Sequence, residues 1–494
     1  MKKLAIISTF ILGLATTSCN SYLDINESPN SPKESDLNAS ILFPAAEMNL
    51  AGSYGDFLRI AGGYFAQYYV QSFGTSNYLD YSKFEMSATR SSGTYTQLNA
   101  RTLKNLQLVR EIAAKNESWG DYLAATTLRA FTYQVLVDCY GEVPYTEALD
   151  ASNPTPNYDD GKTIYTGILA ELDEALSLAK ASDRVCTNLL FPGQTADPWI
   201  KFANALKLKS YSRMGGSDAQ IGAIISEDNL PASDIAFKDC WTTEAGHISP
   251  FYAEEFATNW GSTQINVVAN VAIIGTMQQS AYTDGRLKAF FAPNSDGQYV
   301  GGISGTNFST SKTYKSTYWC RPVASYDMPV YMITKAETEF FIAEYYARTG
   351  NATQAESHYK AAVEASFATA KATGANDFLG VYPYDQSNYQ KSIGIAKWIA
   401  LAGVNPFEGY CEIRRLKYPT FGEVKGSDMY NETDDSSYQP DKYKAGTLYT
   451  PIKVFGPVGD NQLLQRWPYA ESSSARNSKT PAFPGYTTPI FWAQ

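Results

Sequence analysis

The stretch Ile333–Phe367, ITKAETEFFIAEYYARTGNATQAESHYKAAVEASF, constrains the fold more than any other part of the chain. Phe340, Phe341, Ala343, Tyr346 and Ala347 recur at helical spacing up to Gly350, a residue type that stops helices. A second helix begins near Thr353 and carries Ala355, Tyr359, Ala362 and Val363. These offsets suit two antiparallel helices in close contact, where small residues let the backbones approach and aromatics fill the gap. A lone hairpin of this kind cannot bury its apolar face, so it predicts neighbours built the same way.

The offsets Ala343-x2-Tyr346-x8-Ala355-x3-Tyr359-x2-Ala362 match the tetratricopeptide pattern. Asp121–Gly141, Thr163–Ser182, Trp199–Met214 and Ile393–Leu416 show helical apolar spacing as well, for example Ile164, Ile168, Leu172 and Leu176. Gly215–Met332 breaks into Gly, Ser, Thr and Asn-rich loops with short β-like runs, and Pro419–Gln494 is again loop-like. The expected fold is mainly α: a tetratricopeptide-like helical-repeat scaffold, about 40–214 and 333–418. Long irregular excursions, about 215–332 and 419–494, form the loop-rich part. Loops held by a rigid scaffold are where binding usually sits.

The N-terminus carries an address. Lys2 and Lys3 precede the apolar run Leu4–Leu14, which is too short to span a bilayer comfortably, and Ala15–Ser18 lead directly into Cys19. Residues 1–18 are read as a signal peptide that, with small residues directly before Cys, resembles a bacterial lipoprotein signal, which implies Cys19 as the lipid-attachment site; an ordinary cleaved signal with Cys19 incidental is the alternative. Two or three acyl chains on one thiol give a stable anchor. The mature chain, 19–494, would carry 38 Lys+Arg against 50 Asp+Glu, a surface that repels nucleic acid and anionic lipid. Cys139, Cys186, Cys240, Cys320 and Cys411 are odd in number and contain no CxxC, so most are expected as small buried residues.

Catalytic signatures are scarce. His247 and His358 are the only histidines, and HExxH, GxSxG and clustered Cys/His ligands do not occur. The Gly301–Gly305 run GGISG leads into TNFSTSKTY without a GK[ST], so it reads as a turn and not as a phosphate loop. No cofactor, metal or catalytic residue is therefore expected. The enzyme rival is a secreted helical-barrel glycoside hydrolase, which needs an acid of raised pKa opposite a second carboxylate. Glu171, Asp173 and Glu174 are read as a solvated helix face, and Asp434 and Asp435 as part of a polar loop.

Binding of an oligosaccharide or a peptide needs aromatic faces beside hydrogen-bonding groups. Ser72–Phe84, SFGTSNYLDYSKF, offers Asn77, Tyr78 and Tyr81; Tyr314–Asp327, YKSTYWCRPVASYD, offers Tyr318, Trp319 and Arg321. Trp260, in ATNWGSTQ, is a third candidate. The competing reading is that these aromatics pin long loops to the scaffold.

Eight stretches in order carry a resemblance: SCNSYLDINESPNSP, LRAFTYQVLVDCYGEVPYTEAL, IYTGILAELDEAL, DPWIKFANALKLKSYSRM, TDGRLKAFFAPNSDGQYVGGISG, AEYYARTGNATQAESHYKAAVEAS, YCEIRRLKYP and QRWPYAESSSARN. Together the chain resembles the SusD/RagB family of outer-membrane nutrient-binding lipoproteins. The resemblance implies a non-enzymatic, lipid-anchored receptor on the cell surface. It also implies a TonB-dependent, SusC-like outer-membrane channel as partner and a ligand site on the irregular loops. Gly285 stands where the family usually has Pro before the Arg of TDGRL, which is expected to loosen that turn; Ser18 is a less usual residue before the acylated Cys.

Overall fold

The computed structural model describes residues 38–257 and 264–494. Helices dominate: α1 (Ala39–Ser53), α2 (Arg59–Phe65), α3 (Ala88–Thr96), α4 (Lys104–Lys115), α5 (Trp119–Tyr140), α6 (Gly161–Leu178), α7 (Asp197–Met214), α8 (Asp218–Ser226), α9 (Lys335–Arg348), α10 (Ala352–Thr369), α11 (Tyr389–Leu401) and α12 (Pro406–Leu416). Neighbours in sequence pack as antiparallel-type pairs, α4 on α5, α5 on α6, α9 on α10 and α11 on α12. The strands among the described residues form only two-stranded pairs, such as Tyr69–Gln71 with Val267–Ala269.

The α9–α10 hairpin follows the spacing that predicted it. Thr334 and Glu337 form a capping box that satisfies the first free amides of α9. Gly350 turns the chain at φ +85°, and the Asn351 side chain caps α10. Ala343, Ala355, Tyr359 and Ala362 are fully buried at the seam. Tyr346 differs: it lies half-buried, stacked 5.4 Å from His358, whose Nδ1 sits 2.6 Å from Glu339 Oε2. Helix α8 also joins the scaffold, because Ile221 and Ile224 pack with Leu208, Phe341 and Ile342.

The scaffold is centred on buried charge. On α7, Lys209 and Arg213 are one turn apart and face Glu408 and Glu412, spaced the same way on α12. Lys209 Nζ is 2.6 Å from Glu408 Oε1, Arg213 pairs with Glu408 and Glu412, and Arg213 Nη1 reaches Asp138 on α5 at 2.5 Å. Lys397 on α11 closes the set at 2.9 Å from Glu412. A pair like this adds little over a well-packed apolar substitute, but removing one partner strands the other in the core. Glu171 likewise is not on a solvated face: Arg129 and Arg110 hold it at 3.0 and 3.2 Å and the Tyr145 hydroxyl donates to it at 2.6 Å.

The arginines of the sequence motifs tie loops to this frame. Arg286 pairs with Asp284 at 2.7 Å, donates to Ser366 at 2.6 Å, and lies between the rings of Phe367 and Phe378. The turn before it is tight, not loose, since a Cβ on Gly285 would stand 1.9 Å from the Thr373 carbonyl oxygen. Arg414 donates to the Asp138 and Gln465 carbonyls at 2.9 and 2.7 Å, fastening the C-terminal segment to the end of α5. The five cysteines of the described residues are unbridged. No described helix is long and apolar enough to cross a membrane.

Candidate ligand-binding site

The two aromatic loops come together at one short turn. Gln71 organises the first loop: its side chain donates to Thr75 and accepts from the Tyr78 amide at 2.8 Å. Tyr78 and Tyr81 then stack on each other, centroids 5.7 Å apart and planes 14° apart. Arg90 on α3 covers the pair, 5.3 Å from the Tyr81 ring, while it binds Asp80 at 3.0 Å and donates to the Asn77 carbonyl.

The Tyr78 hydroxyl donates to Glu255 Oε1 at 2.6 Å. Glu255 lies on the π-helical turn Ala253–Ala257, and its backbone carbonyl accepts from Arg321 of the second loop at 3.4 Å. The Arg321 guanidinium also lies 4.4 Å over the ring of Phe256. Burial lowers the Arg321 pKa and the neighbouring Glu255 charge opposes it; for Glu255 burial wins and raises the carboxyl.

Burial sorts the sequence candidates into two groups. Tyr81 is 1% exposed, with Phe57, Tyr64 and Phe65 around it, and Trp319 is 1% exposed among Phe308, Tyr314, Tyr318 and Tyr438. Tyr78 is buried as well. The expectation that these three rings offer open stacking faces is corrected here: their faces are already covered by protein, so in this arrangement they anchor loops. Asn77, Tyr318 and Arg321 are half-buried and keep surface for a ligand. Trp260 and Cys19 lie outside the described residues.

Sequence reasoning missed Tyr252 and Phe256, whose rings stack 5.6 Å apart at 4° beside Arg321 and are half-buried. Their i, i+4 spacing in PFYAEEF was the available signal. Next to them the second loop exposes Val323 and Tyr326, at 40% and 42%, and the Ser249 amide donates to the Tyr326 carbonyl at 2.8 Å. Aromatic faces and an arginine therefore share one neighbourhood, the kind of surface that sugar rings and their hydroxyls use. A separate cleft of about 660 Å³, lined by Trp119, Asp121, Asp183 and Arg184, belongs to the start of α5 and the loop before α7 and contains none of these residues. Among the described residues no group of three His, Cys, Asp or Glu is placed to hold a metal ion.

A family model described as "Starch-binding associating with outer membrane", SusD-like, matches residues 29–441. The chain belongs to the SusD/RagB family. Solved structures of the same fold include a SusD homologue from Bacteroides uniformis, with 20% identity, a TM-score of 0.71, and 92% of this chain and 99% of that one covered. A chitin-binding protein aligns with 19% identity and a TM-score of 0.71, over 92% of this chain and 100% of its own. A SusD/RagB family protein from Bacteroides thetaiotaomicron aligns with 18% identity and a TM-score of 0.69, over 92% and 99%. Among curated proteins there is no match. The helical-repeat architecture of this SusD-like chain is thus that of a family of glycan-binding proteins associated with the outer membrane.

Proposed function

We propose that this SusD-like protein is a cell-surface receptor that captures an oligosaccharide and is not itself an enzyme. Lipid on Cys19 holds it to the outer membrane, and a SusC-like TonB-dependent channel receives the cargo. The observation that supports the reading best is the junction at Glu255, which joins the two aromatic loops through Tyr78 and Arg321. Around that junction Tyr252, Phe256, Tyr318, Asn77 and Arg321 keep accessible surface, and the buried Tyr78, Tyr81 and Trp319 brace the loops that carry them.

Capture without chemistry needs only a preorganised face, and the bracing supplies it: less ordering is left to do when the ligand arrives. The test is a calorimetric screen of the mature protein against neutral glycan oligomers and peptides, with an assay for new reducing ends on the same samples. Binding of a glycan oligomer with no new reducing ends is the expected result. Binding of peptides alone would change the cargo. New reducing ends would restore the glycoside hydrolase reading and overturn this one.

A further inference from the structure

A groove of about 530 Å³ opens between α1, α3 and the turn at 250–254, on the flank of the loop that carries Tyr78. Its size falls in the range of small-ligand sites. Met48 and Phe57 give it apolar walls, and Asp56, Arg90, Gln97 and Glu254 give it polar groups. Arg90 is already engaged by Asp80. Asp56 Oδ1 and Gln97 Oε1 are buried and have no hydrogen-bond partner. Behind them Glu255 is 2% exposed, and while Tyr78 occupies its Oε1, its Oε2 is unpartnered too. Folded proteins leave few buried acceptors unpaired, and unpaired carboxylates cost most. Two such acceptors on the lining of one groove, with the Glu255 carboxyl behind them and the one lining cation already taken by Asp80, describe a place with room for further donors and positive charge.

We propose that this groove binds a protonated amino group of the cargo, carried by an amino sugar or by a lysine side chain, with Asp56 as its counter-ion. The inference rests on the capture reading above and narrows the cargo to cationic ligands. An ammonium brings three donors and one positive charge, which Asp56 and Gln97 together can use. Rotation about the terminal torsion of Asp56 exchanges its two oxygens, so the buried one is within reach of a bound amine. The charged and titratable surroundings are Glu254 and Glu255 from the 253–257 turn, Arg90 from α3 with its partner Asp80, and the Tyr78 and Tyr81 hydroxyls. Burial first, and then the charges of Glu254 and Glu255, push the Asp56 carboxyl up to about 8. The empty groove therefore holds a proton at neutral pH, and an arriving cation displaces it.

The test compares amine and acetylated forms of two probes by calorimetry at neutral pH and low salt: glucosamine tetramer against N-acetylglucosamine tetramer, and a lysine tetrapeptide against its acetyl-lysine form. The expected result is tenfold or tighter binding of the amine form in at least one pair, which also identifies the source of the amine. For the lysine peptide, whose amine stays protonated, a binding enthalpy that changes with buffer reports the released proton. Asp56→Asn erases the preference and leaves binding of neutral oligomers unchanged. Equal affinity for amine and acetylated forms in both pairs overturns the proposal, and so does a preference that survives Asp56→Asn. The comparison in the unmutated protein decides the matter even if the variant does not fold. Neutral glycans bound as well as cationic ones would sink this inference and keep the capture reading. A preference for the lysine peptide lost in Asp56→Asn, with no glycan bound at all, would do the reverse.

Discussion

The Tyr78 hydroxyl and the Glu255 carboxylate, 2.6 Å apart, are the fastening between a loop of the N-terminal helices and the turn that supports Arg321. Tyr78→Phe removes the hydroxyl that donates to Glu255 Oε1 and leaves that buried oxygen without its donor. The expected cost is about 1–3 kcal/mol of stability, read by denaturant titration. Ligand affinity falls with it, because Asn77 and Arg321 lose their common reference. An unchanged midpoint and unchanged affinity would show that the two loops are held together by something other than this bond.

Truncations at the site should separate into two classes. Phe256→Ala and Tyr318→Ala remove accessible aromatic surface, so affinity for the captured oligomer should fall about tenfold or more, with a melting temperature close to the parent. Trp319→Ala and Tyr81→Ala remove fully buried rings instead. They should cost about 3–5 kcal/mol of stability and expose the loops to proteolysis. Calorimetry and melting curves on all four variants check this. Normal stability in Trp319→Ala would mean that its ring is not part of the core.

What the sequence could disclose follows from the range of the physics involved. The α9–α10 hairpin was legible because the Gly350 stop and the seam of alanines and aromatics all act within one short stretch of chain. The loops were legible as regions for the opposite reason, the loss of any helical period. Which ring faces outward was not, because that depends on distant partners: Trp319 is covered by Tyr438, and Tyr81 by Phe57 and Tyr64. The same holds for Glu171, whose spacing suits a solvated face until Arg110 and Arg129 arrive from two other helices. Tyr252 and Phe256 were overlooked because a single turn of helix gives too short a pattern to stand out.

The close seam of the hairpin sets the next expectation. Ala355 is fully buried against α9. Ala355→Leu adds three carbons where the backbones approach, and overpacking of that kind costs about 1–3 kcal/mol. Ala355→Gly crowds nothing but loses helix propensity and a buried methyl, and should cost about 1–2 kcal/mol. Thermal melts of the two variants distinguish crowding from the loss of a small buried group; a leucine variant as stable as the parent would place Ala355 away from the contact.

Cys19 carries the whole of the proposed anchor. Cys19→Ala should move the protein from the membrane fraction to the soluble one in cells that lack the channel partner, since no described helix is suited to span the bilayer. Fractionation followed by immunoblotting reads the outcome. Retention in the membrane pool would defeat the lipoprotein reading.

The buried charge cluster predicts how the fold fails in acid. Burial alone would raise the Glu408 carboxyl, but Arg213 and Lys209 outweigh it and hold the group at about 2, against an ordinary value of 4.5. A carboxyl whose folded value is depressed contributes stability that is complete above its unfolded value and lost as the pH falls towards the folded one. The melting temperature should therefore drop steeply between pH 4.5 and 2. Glu412, also held well below its ordinary value against burial by Arg415 and Lys397, adds to the same slope. Glu408→Gln strands Lys209 in the core and takes one of the three carboxylates that hold Arg213, and should cost about 3–5 kcal/mol at pH 7. That cost should shrink as the pH falls through the same window, because the parent then protonates Glu408 and comes to resemble the variant. Melting curves of both proteins from pH 7 down to pH 2.5 check the sign. A gap that stays constant across the range would mean that Glu408 gains nothing from its cationic partners.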